Sequence, residues 1–256
     1  MNPPVLGPLT RALKSEAKWT DSYPAWPSYA DECEQLLRFL DEKGQLNRFL
    51  PRLRSKKQQR DEALNEIRIA YFFTANGFPV VRWEPCDAPP KDVEFEISTG
   101  TETVYVEVKS PGWESELSDW EKREGRAKEE KYRDEIEGRC VSPEEVIRRT
   151  VEKALPKFSG TVPSLVAITD DCFVSLGDWG PIPLEMALTE SSVAFGKGLF
   201  HDPKYSTVGG VFCFWVSAAS AAVKFRFLFL QNPNALPTAA LPPNLMQLLS
   251  PATQIA

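Results

Sequence analysis

The stretch Thr103-Val104-Tyr105-Val106-Glu107-Val108-Lys109 reads as a single β-strand. Its valines occupy even positions, and Tyr105, Glu107 and Lys109 odd ones. Side chains alternate between faces along a strand, so the valines enter a core while Glu107 and Lys109 project together from the other face. A carboxylate and an ammonium so placed are costly to desolvate unless they pair or bind something. They are the first candidates for chemistry.

Upstream, Asp92 to Ile97 alternates again, with Val93, Phe95 and Ile97 on one face and Asp92, Glu94 and Glu96 on the other. Ser98-Thr99-Gly100-Thr101-Glu102 carries turn chemistry, which predicts an antiparallel hairpin with 103–109. The register is not readable: either Asp92 or Glu94 can stand opposite Glu107. Phe78 to Trp83 reads as a short strand, and 85–91 as a Pro-rich loop. Gln58 to Asn76 is the strongest helix, with Leu64, Ile67, Tyr71 and Ala75 as its stripe and Asn76-Gly77 as its stop. Glu66 is expected to be half-buried on that helix and Glu62, one turn away, exposed.

Downstream, 111–140 is dominated by charge, with Trp113 and Trp120 as anchors. Ser142-Pro143-Glu144-Glu145 is a helix start. Ile147, Val151, Ala154, Leu155 and Phe158 form its buried stripe, Pro156 kinks or ends it, and Arg149, Lys153 and Lys157 fall on another side. Ser164 to Thr169 suits a central strand and runs into Asp170-Asp171.

The remaining segments are read more coarsely. Residues 1–28, rich in Pro and Trp, are expected to form an irregular arm, and 29–50 two short helices broken at Gly44. The basic run Arg52, Arg54, Lys56, Lys57 and Arg60 reads as a solvated connector rather than a phosphate contact. A short helix is expected at Pro183–Leu188, strands at Val211–Val216 and Val223–Leu230, and a helix near Asn244–Leu249. The expected division is 1–57 as an arm with helices packed on the core, 58–170 as the core, and 171–256 as a C-terminal extension of the same domain.

Composition narrows the class. Of 256 residues 42% are hydrophobic and 26% charged, as in an ordinary globular protein. A net charge of −6 argues against a general polyanion binder, though a local basic surface can coexist with it. Five scattered cysteines, no CxxC and one histidine, His201, argue against a zinc site or a disulfide framework, so a reducing cytoplasm is expected. The apolar run Val211–Val223 is too short for a membrane span of roughly 20 residues. No Walker-type loop and no Ser-His-Asp arrangement is present.

The order is thus a helix with Glu66, two strands, a strand with Glu107-Val108-Lys109, a basic helix and an apolar strand. This resembles the αβββαβ core of the PD-(D/E)XK nuclease superfamily, the restriction-endonuclease-like fold, over roughly residues 60–170. Pro90-Lys91-Asp92 matches the first half of the motif and Glu107-Val108-Lys109 the second. Glu66 precedes Gly77-Phe78 by the eleven residues often seen in the family. Pro-Lys-Asp departs from the family's Pro-Asp, and Glu94 competes with Asp92 for the role of metal acid.

The resemblance implies an α/β (α+β) fold, a central mixed sheet flanked by helices. It also implies a Mg²⁺- or Mn²⁺-dependent nuclease acting on DNA rather than RNA. Asp92, Glu107 and Glu66 would hold the metal, and Lys109 would assist the attacking water. Lys153, Lys157 and Arg149, on the helix flanking the site, would meet the nucleic-acid backbone. Trp113 and Tyr132 are weaker candidates for stacking on a base. The sequence implies no membrane partner and leaves room for a homodimer. The alternative is a catalytically inactive nuclease-fold protein serving as a scaffold, regulatory partner or nucleic-acid-binding module.

Overall fold

Alternation of apolar residues along the strands and apolar stripes along the helices generate a sheet covered on both faces. The computed structural model describes residues 7–16, 27–55, 57–85, 93–111, 143–169, 182–192, 196–217 and 224–250. In chain order these form α1 (Pro8–Glu16), α2 (Pro27–Glu42), α3 (Leu46–Leu53), α4 (Lys57–Ala75), β1 (Val80–Trp83), β2 (Phe95–Ser98) and β3 (Thr103–Lys109). Then come α5 (Pro143–Ala154), a 3-10 turn Leu155–Lys157, β4 (Ser164–Thr169) and α6 (Ile182–Leu188). They are followed by β5 (Ser191–Ser192), β6 (Gly196–Lys197), 3-10 turns Leu199–His201 and Pro203–Thr207, β7 (Gly210–Ser217), β8 (Lys224–Gln231) and α7 (Pro243–Leu249).

Six strands make one mixed sheet in the order β1-β2-β3-β4-β7-β8. β1, β2 and β3 run antiparallel, β4 is parallel to β3, β7 is parallel to β4, and β8 returns antiparallel to β7. The protein is therefore α/β with an open mixed sheet. The central strands show why: Leu165 and Ala167 of β4 enter one cluster and Val166 and Ile168 the other, while Phe212 and Phe214 of β7 oppose Val211 and Cys213. Helices α1–α4 and α7 pack on the first face, and α5, α6 and the 3-10 turns on the second. Among the described residues no helix is long and apolar enough to cross a membrane.

The hairpin, the strand at 164–169, the pair of late strands and the helices at 182–188 and 243–249 match their expected places within a few residues. Pro156 stands where α5 gives way to the 3-10 turn. The irregular arm needs correcting: Pro8 begins α1 instead of preventing it. Proline is tolerated in a first helical turn because its missing N–H would have no intrahelical partner there. Glu34 of α2 accepts from the Thr10 N–H at 2.9 Å and from its hydroxyl at 3.1 Å, which satisfies a donor of α1's first turn from outside.

Entry into β7 is the tightest backbone approach near the sheet. A Cβ on Gly209 would lie 2.8 Å from the Ser164 carbonyl oxygen and closer still to that of Ala239. Both carbonyls are held where β4 meets β7: the Gly209 N–H donates to Ser164 O at 2.9 Å and the Ser164 N–H to Ala239 O at 3.3 Å. Gly209→Ala is therefore expected to destabilise by about 2 kcal/mol or more in urea denaturation, the usual scale of overpacking. A change below about 0.5 kcal/mol would contradict the packing described.

Candidate active site

The site lies where β2 and β3 meet, at the end of β3 that carries Lys109. Phe95 pairs with Val106 and Glu96 with Tyr105. One further step in that register places Glu94 opposite Glu107, and the two are electrostatic neighbours. Asp92, with residues 86–92 as a whole, lies outside the described residues. The expected face of Val93 needs correcting: Val93 belongs to the second cluster while Phe95 and Ile97 belong to the first. Strand geometry begins only at Phe95, so alternation does not extend back to 93. The Glu94 carbonyl accepts from the Glu84 N–H at 2.9 Å. Glu84 has φ 41, in the left-handed region, and its carboxylate meets Arg48 at 2.6 Å. A non-glycine residue there is strained, and its neighbours hold it in place.

Glu107 points away from the valine face and is 0% exposed. Its Oε1 forms a close ion pair with the Lys109 ammonium and lies 3.7 Å from that of Lys157. The ion pair lacks hydrogen-bond geometry, and among the described residues neither carboxylate oxygen accepts a hydrogen bond. Glu66 reaches the cluster from α4, in the layer over the valine face. Arg52 of α3 donates to both of its oxygens at 2.5 Å. Burial pushes the Glu66 carboxyl above its usual range and Glu107 adds to this, while Arg52 and then Lys109 oppose it.

Glu94 is displaced from the ordinary carboxylate range as well. Burial first, and then the charges of Glu66 and Glu107, push its carboxyl up to about 8, with Lys109 and Lys157 acting the other way. Glu66, Glu94, Glu107, Lys109 and Lys157 are therefore electrostatic neighbours, although Glu66 and Glu107 approach from opposite layers. A buried chain steadies this corner: Glu32 accepts from Arg68 at 2.9 Å, Arg68 donates to Asn65 Oδ1 at 2.7 Å, and Asn65 donates to the Ser110 hydroxyl at 3.1 Å. Ser110 adjoins Lys109, so the chain fixes the end of β3. Glu96, by contrast, is neutralised by Arg82 at 2.6 Å.

Of the flanking basic residues, Lys157 lies 3.7 Å from Glu107 Oε1. Lys153 is exposed, and Arg149 pairs with Glu145 on its own helix. Trp113, Trp120, Tyr132, Ser142, Asp170 and Asp171 lie outside the described residues. Glu62 is half-buried rather than exposed. The basic run is not simply solvated: Arg52 binds Glu66, and Arg60 is 3% exposed and bound to Asp61. Sequence reading missed Arg52, although a signal existed. Phe49 and Leu53 are the buried positions of α3, and Arg52 sits at their edge, so its fork turns inward.

Among the described residues no group of three or more His, Cys, Asp or Glu side chains is gathered as a ligand cage. A hexahydrate-like Mg²⁺ site needs only one or two carboxylates. The donors fit that requirement: among the described residues the buried Glu107 Oε2 accepts no hydrogen bond, and Glu94 is its electrostatic neighbour. Glu66 fits less well, since both of its oxygens are engaged by Arg52. Arg52→Met would strand a buried carboxylate. The full cost of breaking a buried pair, reduced because Arg52 is 35% exposed, is about 2 kcal/mol. Denaturant titration checks this, and an unchanged midpoint would contradict it.

No protein-family model, no curated protein and no solved structure matches the chain.

Proposed function

We propose that the chain is a metal-dependent nuclease that hydrolyses phosphodiester bonds, with DNA as its substrate. One observation carries the reading: the half-buried Glu94 carboxyl, held beside Glu107 and pushed up to about 8. Acids gathered against their own repulsion are a functional-site signature. The order of elements supports it: α4, three antiparallel strands, α5, then β4 parallel to β3. That is the order of the αβββαβ core of the PD-(D/E)XK superfamily.

In this reading Glu94 and Glu107 hold a Mg²⁺ or Mn²⁺ ion, with Asp92 as the other candidate acid. Held there, such an ion would supply Lewis acidity for the phosphoryl oxygen and the attacking water. Lys109 orients that water and opposes the charge growing on the phosphorane. Lys157, a compact point charge at the wall of the site, holds a substrate phosphate. Glu66 with Arg52 forms the outer wall and keeps Glu94 dry. Exposed Lys153 and Arg149 lie farther out along α5, where they meet the backbone of a longer substrate.

The test is cleavage of plasmid, linear and single-stranded DNA, and of RNA, with Mg²⁺ or Mn²⁺ against EDTA. Metal-dependent cutting of DNA is expected, and none of any substrate would overturn the reading. A second reading has its own support. Glu66, Glu94 and Glu107 face Arg52, Lys109 and Lys157, so three carboxylates meet three cations. That balance suits an inactive nuclease-fold scaffold with an internal ion network, which predicts no cutting and no metal binding.

A further inference from the structure

Away from the acid cluster, a polar cavity of about 240 Å³ opens between α5 and the 3-10 turns after β6. Arg148 and Glu152 of α5, Lys197, His201, Asp202, Lys204 and Tyr205 line it. None of these belongs to the acid cluster around Glu107.

We infer that this cavity is an anion site that takes inorganic phosphate or a small phosphomonoester. Its charges are built asymmetrically. The two acids hold the walls: Glu152 accepts from the Tyr205 hydroxyl at 2.9 Å, and Asp202 accepts from the Lys204 backbone N–H at 3.0 Å. Arg148 donates to the carbonyls of Ala187 at 3.1 Å and Lys197 at 3.0 Å. These two bonds orient the guanidinium at the cavity. Lys197 is exposed at the rim, and the Lys204 ammonium lies 4.8 Å over the Tyr205 ring and 3.4 Å from Asp202. Arg148, Lys197 and Lys204 against Glu152 and Asp202 leave the cavity net positive in a chain of net charge −6.

His201 lines the cavity with its ring held in place. Its Nε2 lies 2.7 Å from the Thr189 carbonyl, which only accepts, so Nε2 carries a hydrogen. Separated ammonium groups suit the oxygens of a tetrahedral anion better than a planar carboxylate, which favours a bidentate arginine fork. Arg148 has its fork turned to main-chain carbonyls instead. The volume lies below that of drug-sized ligand pockets, which admits a phosphate with a few carbons and excludes a nucleic-acid duplex.

The test uses the full chain and inorganic phosphate. His201 is the sole histidine, so its ring-proton NMR signals report the cavity without ambiguity. Phosphate is expected to move them saturably with Kd of about 0.1–1 mM, within what five heavy atoms can supply. Acetate at equal ionic strength should not. Lys197→Gln and Lys204→Gln, both exposed, should each weaken binding about tenfold. Lys157→Gln, in the acid cluster, should not weaken it. No saturation by about 10 mM, equal response to acetate, or loss only in Lys157→Gln would overturn the assignment. The result is independent of whether the protein cuts DNA.

Discussion

Glu107→Gln is expected to lower metal-dependent cleavage by about a thousandfold, the equivalent of roughly 4 kcal/mol of lost stabilisation at the metal. The same variant should melt within about 3 °C of the wild type, because two opposed effects nearly cancel. The amide keeps the shape of a side chain that is 0% exposed and removes a buried charge whose oxygens accept no hydrogen bond among the described residues. Lys109 loses its partner but is 27% exposed and can be solvated. The converse change is asymmetric. Lys109→Met leaves a fully buried carboxylate with only Lys157, at 3.7 Å, and should cost about 3 kcal/mol as well as activity. Cleavage assays and thermal melts on both variants test the pair. Cleavage unchanged in Glu107→Gln would remove this residue from the chemistry.

Stability of the metal-free protein is expected to fall as pH rises from about 4.5 to about 8, and Glu94→Gln should make that fall markedly smaller, leaving the part due to Glu66. The sign follows from proton counts. In the unfolded chain Glu94 loses its proton near its ordinary value of 4.5, whereas in the fold it keeps it up to about 8. Between those limits the folded state binds more protons, so ΔG of unfolding decreases with pH. Below 4.5 both states are protonated and the penalty vanishes. Above 8 it is complete, at most roughly 5 kcal/mol for a shift of this size. Glu94→Gln should therefore equal the wild type at pH 5 and exceed it at pH 9. Urea denaturation in EDTA measures both, and parallel pH profiles for the two proteins would contradict the position given to Glu94.

The hairpin and the charged end of β3 were legible in the sequence because period-two alternation of Val against Glu and Lys leaves few ways to bury the valines. Strand β4 was legible for a related reason, since an apolar run of that length with no polar face needs cover on both sides. Other features depend on contacts between distant segments. The choice of Glu94 beside Glu107 depends on a register that turn residues alone did not fix. Helix α1 depends on Glu34, which supplies its first turn with an acceptor from α2. Arg52 looked like one of several solvated cations because its partner, Glu66, lies on the next helix. The parallel pairing of β4 with β7 joins segments more than forty residues apart and left no local mark. The polar cavity is assembled from four elements, none of which carries a motif.

The central claim is that Glu94 and Glu107 together hold a divalent ion beside Lys109. Calorimetric titration with Mn²⁺ at pH 8.5, where Glu94 is ionised, tests it most directly. The prediction is one saturable ion per chain in the wild type, with binding lost in the Glu94→Gln, Glu107→Gln double variant and kept in Lys197→Gln. Absence of Mn²⁺ binding by the wild type, or equal affinity in the double variant, would contradict it.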